Sequence, residues 1–146
     1  GVRVVHPRIG VILSRKGGAL TKMLTPFKLG LGGRIGDGRQ YWSWITLDEL
    51  VHVISYLIES SQLHGAVNAV APGTLTNVEF TKTLGQVLHR PTIFPMPAFA
   101  ARLLMGEMAE ALLLTSSRVQ PVALEGDGYS FLHPELGPAL KAILRA

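Results

Sequence analysis

Residues 41–71 read YWSWI TLDELVHVISYLIE SSQLHG AVNAVA, and the spacing of the apolar side chains changes twice along them. Trp42 and Trp44 alternate with Ser43, the period of a strand that places both tryptophans on one face. From Thr46 onward Leu47, Leu50, Val51, Ile54, Leu57 and Ile58 recur as one face of a helix, and Thr46 with Glu49 fits a capping box at its start. Gly65 closes the following turn, and residues 66–71 form a short apolar run with the length of a second, buried strand. Strand, helix and strand in so short a span predict parallel pairing through a crossover helix, and hence an α/β fold.

The segments on either side extend this pattern. Upstream, Ile9, Val11, Ile12 and Leu13 are nearly continuous, which predicts an interior parallel strand over residues 9–13 covered on both faces. Gly17 and Gly18 break the chain, Leu20, Met23, Leu24 and Phe27 then give helical spacing, and Pro26 should end or bend that helix in its last turn. Downstream, Pro72 and Gly73 stop the second strand, and Thr76 with Glu79 repeats the capping signature before Phe80, Leu84, Val87 and Leu88. Three prolines from Pro91 to Pro97 enforce an extended connector. Helices follow around Phe99, Leu103 and Leu104, then around Met108, Leu112 and Leu113, with a break near Gly106. A last helix is expected with Pro134 at its first position and Leu136, Leu140, Ile143 and Leu144 along its buried face.

Glycines at 30, 32, 33, 36 and 38 lead into the tryptophan strand and look like a ligand-facing loop. The chemistry of a cofactor fingerprint is missing, because no G-x-G-x-x-G occurs in this register or elsewhere, and the Lys-Ser/Thr tail of a P-loop is absent.

With 146 residues, 47% hydrophobic and 16% charged, the chain is the size of one domain folded around a core. No apolar run reaches the ~18 residues of a membrane span, and Arg3, His6, Pro7 and Arg8 interrupt any signal-like stretch. Zero cysteines exclude disulfides and thiolate metal sites and are compatible with the cytoplasm, where the chain is expected to reside. Eight of the fourteen Lys and Arg fall between Arg3 and Arg39, where Asp37 is the only acid. That imbalance favours an anionic neighbour, yet the cations are scattered over strand, helix and loop without an aromatic-interleaved motif, so nucleic acid is not expected and solvated surface charge explains most of them.

Several stretches together resemble a known family, the atypical extended short-chain dehydrogenase/reductases described as NAD(P)-dependent epimerase family proteins and sometimes labelled cell division inhibitors. They are Arg8-Ile9-Gly10-Val11-Ile12-Leu13-Ser14, Gly17-Gly18-Ala19-Leu20, Met23-Leu24 with Pro26-Phe27-Lys28-Leu29-Gly30-Leu31-Gly32-Gly33, and Ile35-Gly36 with Gly38-Arg39-Gln40. Ser43-Trp44-Ile45, Asn68 with Ala71-Pro72, Asn77 with Glu79-Phe80, and Arg118-Val119 with Pro121 continue the pattern. The resemblance implies that the chain is the C-terminal half of such a protein. Residues 1–90 would hold the last strands and helices of a Rossmann-type sheet with an inserted substrate-side loop, and residues 91–146 a C-terminal helical extension on the substrate side. The chain opens at Gly1-Val2 without a methionine, so a preceding cofactor-binding half is expected.

By the same resemblance the complete protein would bind NADP or NAD and act as an epimerase or oxidoreductase on a small-molecule substrate, and the chain alone would be inactive and would not hold the cofactor. The Tyr-x-x-x-Lys pair of the wider superfamily is absent, since Tyr41, Tyr56 and Tyr129 are followed four positions later by Ile45, Ser60 and His133. No catalytic residue is therefore assigned. Val11 and Ile12 would pass the nicotinamide, and Gln40, Trp42 and Trp44 would line the substrate pocket, although core packing explains the two tryptophans equally well. Trp42 stands where sugar-nucleotide epimerases commonly offer an arginine, and Val11 where they often place an asparagine. Apolar surface replacing two polar contacts disfavours a nucleoside-diphosphate sugar and favours a smaller or more apolar ligand.

Other constellations carry less. The five histidines lack ligand spacing, so no metal site is expected. Asp48 and Glu49 look like a catalytic pair but are explained by the first turn of a helix, and Ser14, Ser116 and Ser117 lack the G-x-S-x-G context of a nucleophile. A fragment beginning at a central strand would leave a sheet edge open, so self-association is expected. The alternative function is a non-enzymatic interaction module that uses the basic first forty residues and this edge.

Overall fold

The strand expected over residues 9–13 is divided at Gly10 into β1 (Val5–Ile9) and β2 (Val11–Leu13). In the computed structural model, which describes residues 1–110 and 115–145, these are followed by α1 (Gly18–Lys28), β3 (Tyr41–Trp42), β4 (Trp44–Thr46), α2 (Leu47–Glu59) and β5 (Gly65–Ala69). Then come β6 (Leu75–Thr76), α3 (Asn77–Leu88), α4 (Ala98–Met105), α5 (Val122–Gly126) and α6 (Leu136–Arg145). β1 pairs in parallel with β5, Val5 opposite Gly65 and Ile9 opposite Ala69, while β2 pairs in parallel with β4, Val11 opposite Trp44 and Leu13 opposite Thr46. The α/β reading of residues 41–71 is thus correct, but β4 and β5 pair in parallel with β2 and β1 and not with each other.

The division has a physical cause at Gly10. Its N–H still donates to the Ala69 carbonyl at 3.3 Å, but the next N–H, that of Val11, donates to Ser43 at 2.8 Å. Ala71 N–H donates to the Trp44 carbonyl at 2.7 Å, so β4 is wedged between β2 and the chain leaving β5. A β-carbon on Gly10 would lie 2.6 Å from the Ser43 carbonyl oxygen and 2.9 Å from Val70 Cγ1, and only glycine lets the wedge close. The expectation of a strand covered on both faces is corrected here. Val11 and Leu13 are buried, whereas Ile9 is 47% and Ile12 36% exposed, so among the described residues their side is left uncovered.

Two apolar clusters fill the interior. One lies among α1, α3, α4 and α6 and includes Leu20, Phe27, Trp42, Trp44, Phe80 and Leu140. The other lies beneath α2 and α5, with Ile45, Val53, Leu57, Val67 and Leu124. Ala101, Met105, Leu136 and Leu140 belong to the first cluster, so the segment after residue 90 shares its core with the segment before it. A fully buried leucine such as Leu140 contributes about 1.5–3 kcal/mol of apolar burial, enough to dock the terminal helix on α3. That helix begins at Leu136, two residues later than Pro134 suggested, and Pro138 falls in its first turn, where a missing N–H costs nothing. Pro26 lies inside the last turn of α1, which runs on to Lys28 before Leu29 N–H caps it on the Thr25 carbonyl. α4 stops at Gly106, whose φ of 65° suits glycine, and Leu112 and Leu113 lie outside the described residues. Among the described residues no helix is long and apolar enough to cross a membrane.

Candidate functional site

Parallel strands leave a crevice beyond their carboxyl ends, where α/β proteins place their ligands. β2 ends at Leu13 and β4 at Thr46, and both residues line a cavity of about 590 Å³. Ser14, Arg15 and Lys16 continue its wall from β2, Leu47 and Asp48 supply the first turn of α2, and Ala142 and Ile143 of α6 close the far side. Two cations face one carboxylate, beside the positive end of a 13-residue helix, between walls of aliphatic carbon.

Behind this cavity lies a buried polar cluster. Thr46 Oγ1 accepts from Glu49 N–H at 3.1 Å, the N-cap of α2, and lies 2.9 Å from His133 Nδ1. The expected capping box is only half formed, because the Glu49 side chain turns inward and is fully buried. Its Oε1 accepts from the Tyr129 hydroxyl at 2.5 Å and its Oε2 from His133 N–H at 2.7 Å. Burial, and then the hydrogen bond to Glu49, push the Tyr129 phenol well above its ordinary pKa of 10.0. The Tyr129 ring meets Tyr56 and Phe131 edge to face, at 5.0 and 4.9 Å between centroids. Tyr56 in turn donates to Asp127 Oδ2 at 2.7 Å, a bond that raises its own pKa. Sequence reasoning missed this cluster, since about eighty residues separate its two halves and a capping role already explained the Thr46 and Glu49 signal. Asp48 and Glu49 do not act as a pair, because Asp48 faces the cavity and Glu49 the interior.

The residues singled out by sequence are not all in one place. Val11 is buried, and Ile12 is partly exposed next to Leu13 at the cavity wall. Gln40 lines a separate, shallower cavity of about 340 Å³ with Asp37, Arg39 and Ser116, and its Nε2 donates to the Ile35 carbonyl at 3.1 Å. Trp42 and Trp44 are core residues. Trp42 packs on Phe80 with centroids 4.7 Å apart, and Trp44 Nε1 donates to the Gly73 carbonyl at 2.8 Å.

Three glycines of the loop that looked ligand-facing pack on the protein itself, whereas Gly36 borders the Gln40 cavity. A β-carbon on Gly33 would run into the Phe94 carbonyl, one on Gly32 into the Phe27 ring, and one on Gly38 into Val78. Asn77 Oδ1 accepts from Ile35 N–H at 2.7 Å and fastens the loop to the start of α3. Ser116 and Ser117 also serve structure. Ser116 Oγ accepts from Tyr41 N–H, the Ser117 carbonyl accepts from Ser43 Oγ, and Arg118 lies 4.8 Å over the Tyr41 ring. Among the described residues no three His, Asp or Glu side chains gather as a metal site would require.

Residues 96–143 match the family model described as a domain of unknown function, DUF1731. The chain is 42% identical over 142 residues to epimerase family protein SDR39U1 of Homo sapiens, covering 97% of this chain and 48% of that protein. It is 44% identical over 140 residues to epimerase family protein Mb2239 of Mycobacterium bovis, covering 96% of this chain and 46% of that one. The crystal structure of the human protein with NADPH superposes with a TM-score of 0.89 at 40% identity, over 98% of this chain and 48% of its own. A UDP-glucose 4-epimerase of Thermus thermophilus, solved with NAD, superposes with a TM-score of 0.69 over 99% of this chain and 46% of its own, and at 13% identity this is a likeness of fold alone. The chain thus spans about half the length of the relatives it matches. By sequence and by fold it is similar to the epimerase family of extended short-chain dehydrogenase/reductases, and the part of them that it matches is the C-terminal half.

Proposed function

We propose that the chain is the substrate-side half of an NAD(P)-dependent epimerase or oxidoreductase, inactive until a dinucleotide-binding half joins it. The observation that carries this reading is the end-to-end superposition on a relative crystallised with NADPH, together with the cavity at the carboxyl ends of β2 and β4. The residues present do not suffice to hold a dinucleotide, because there is no G-x-G-x-x-G turn for the pyrophosphate, and Gly32, Gly33 and Gly38 of the glycine-rich loop are committed to packing. When bound in the complete protein, the nicotinamide supplies hydride transfer at a carbon bearing a hydroxyl.

This chain's part is to bind and orient. Ile12 offers an aliphatic edge to the nicotinamide, and Val11 holds that edge from the core. Leu13, Leu47, Ala142 and Ile143 exclude water from the cavity, while Arg15 and Lys16, opposed by Asp48, leave one net positive charge. Such a lining suits a small substrate with an apolar body and a single negative charge better than a pyrophosphate-linked sugar. Trp42 and Trp44 support the substrate side from the core without lining the cavity, and Gln40 would offer a polar contact in its own, separate cavity. A cytoplasmic setting accompanies this reading.

The test joins this chain to the unmatched half of the human relative and titrates NADPH while following tryptophan fluorescence. Saturable quenching is expected in the joined protein and none in the chain alone. A joined, folded protein that fails to bind either NADPH or NADH would refute the reading and favour an interaction module, the alternative suggested by the exposed side of β1.

A further inference from the structure

α3 ends at Leu88, and His89, which turns the chain out of it, stands in the left-handed conformation at φ 56°, where glycine is the usual residue. No other non-glycine residue among the described ones has a positive φ. The turn lays Arg90, Pro91 and Thr92 back against the helix, with Arg90 N–H donating to the Gly85 carbonyl at 2.9 Å. Gly85 permits this approach, because a β-carbon there would lie 2.4 Å from Thr92 Cγ2 and 3.0 Å from the Arg90 carbonyl oxygen. The result is an open cavity of about 480 Å³ whose lining includes Lys82, Gln86, His89 and Arg90. A second cavity of about 480 Å³ lies between α3 and α6, and its lining includes Gln86, His89, Lys141 and Arg145. Gln86 and His89 belong to both, so the two are lobes of one groove.

Lys82, His89, Arg90, Lys141 and Arg145 line this groove, and no Asp or Glu does. Among the described residues none of these five side chains makes an ion pair, and Glu79, the acid of α3, is committed to the Thr76 cap. The lysines and arginines therefore concentrate positive potential that no acid in the lining offsets. Arg90 is also fixed in place. Its Nε donates to the Lys28 carbonyl at 3.0 Å and its Nη1 to the His89 carbonyl at 3.1 Å, which leaves Nη2 uncommitted on an oriented guanidinium.

We propose that the groove binds a compact polyphosphate, a ligand carrying two or more linked phosphate groups. One end would meet Lys82 and Arg90, the other Lys141 and Arg145, with His89 and Gln86 between them. Two concave lobes suit such a ligand better than an extended nucleic acid, and no Phe, Tyr or Trp lines them to stack a base. The groove shares α6 but no residue with the cavity at the carboxyl ends of β2 and β4, so it is a second site that does not depend on the substrate-side reading.

Isothermal titration of the chain with inorganic phosphate, pyrophosphate and tripolyphosphate is the test. Tripolyphosphate is expected to bind saturably and about tenfold or more tighter than phosphate, because it reaches both lobes. Arg90→Gln and Lys141→Gln, one in each lobe, should each weaken it about tenfold, the worth of one hydrogen bond to a charged group. Lys22→Gln removes the same charge from an exposed position on α1 and should stay within about twofold. His89→Gly suits the left-handed turn and keeps the fold, yet should weaken binding too. Absence of saturable binding, or equal losses in every variant with Lys22→Gln included, would overturn the proposal. So would binding that survives these changes and is abolished by Arg15→Gln, which would put the anion in the cavity at the ends of β2 and β4. ATP or an oligonucleotide binding more than about tenfold tighter than tripolyphosphate would show that a base is read, and would overturn it as well.

Discussion

Tyr129→Phe removes one oxygen from the cluster behind the cavity and leaves Glu49 Oε1 without its hydroxyl donor. The carboxylate is fully buried and the lost bond is 2.5 Å long, so this is the loss of a hydrogen bond to a buried carboxylate rather than of a surface contact. Such bonds contribute about 1.5–3 kcal/mol, and an acceptor left without a partner moves the loss to the upper part of that range. His133 N–H remains at 2.7 Å and prevents a complete loss. The expected destabilisation is about 2–3 kcal/mol, or about 6–9 °C in melting midpoint at the roughly 3 °C per kcal/mol of a domain this size. Urea unfolding followed by tryptophan fluorescence measures it. The difference between wild type and variant should hold steady through neutral pH. Because the folded phenol holds its proton above the ordinary pKa of 10.0, the stabilisation is intact below pH 10 and is lost as pH rises above it toward the folded value. Coupling with Glu49→Gln in a double-mutant cycle should reach at least about 1 kcal/mol. A Tyr129→Phe protein within about 0.5 kcal/mol of wild type, with no convergence above pH 10, would show that the cluster holds nothing together.

Three further substitutions probe the wedge and the cavity wall. Gly10→Ala forces a β-carbon to within 2.6 Å of the Ser43 carbonyl and should cost about 1–3 kcal/mol, read as a lower urea midpoint at unchanged slope. Thr46→Val keeps the shape of the side chain and removes both the α2 cap and the His133 contact; the cap alone is worth about 1 kcal/mol, so a total near 2 kcal/mol is expected, with a wild-type-like value counting against the geometry. Trp44→Phe strips the Gly73 carbonyl of its donor and opens space beneath β4, for an expected loss of about 1–3 kcal/mol in the same assay.

What could be read in advance follows the range of the forces involved. Periodicity and caps are local, so α2, α3 and the order of strand, helix and strand were legible, and the Thr76–Glu79 capping box is present in full. Gly10 was legible as a glycine but not as a wedge point, because the residues that forbid a β-carbon there, Ser43 and Val70, are distant in sequence and arrive only when β4 inserts. For the same reason the continuous run over residues 9–13 reads as one strand buried on both faces. The glycine loop misled in the opposite direction. Glycine permits close approach to a ligand or to the protein's own backbone, and sequence cannot say which; Phe94, Phe27 and Val78 turn out to be the neighbours.

The candidate site was less legible because one helix carries three unrelated demands. At its first turn, Thr46 and Asp48 must serve the cap and the cavity; one residue further on, Glu49 must be buried and bonded; and along its outer side Val51, Ile54 and Ile58 are apolar yet exposed. Read as a single amphipathic pattern, these residues blend into a broad hydrophobic face with an acidic start. Their separation depends on what lies opposite each stripe. Residues 129–133 face the first, and the second stays exposed. The two stripes therefore make opposite predictions for the isolated chain. Disturbing the inner one lowers its stability at once, and disturbing the outer one leaves it unchanged.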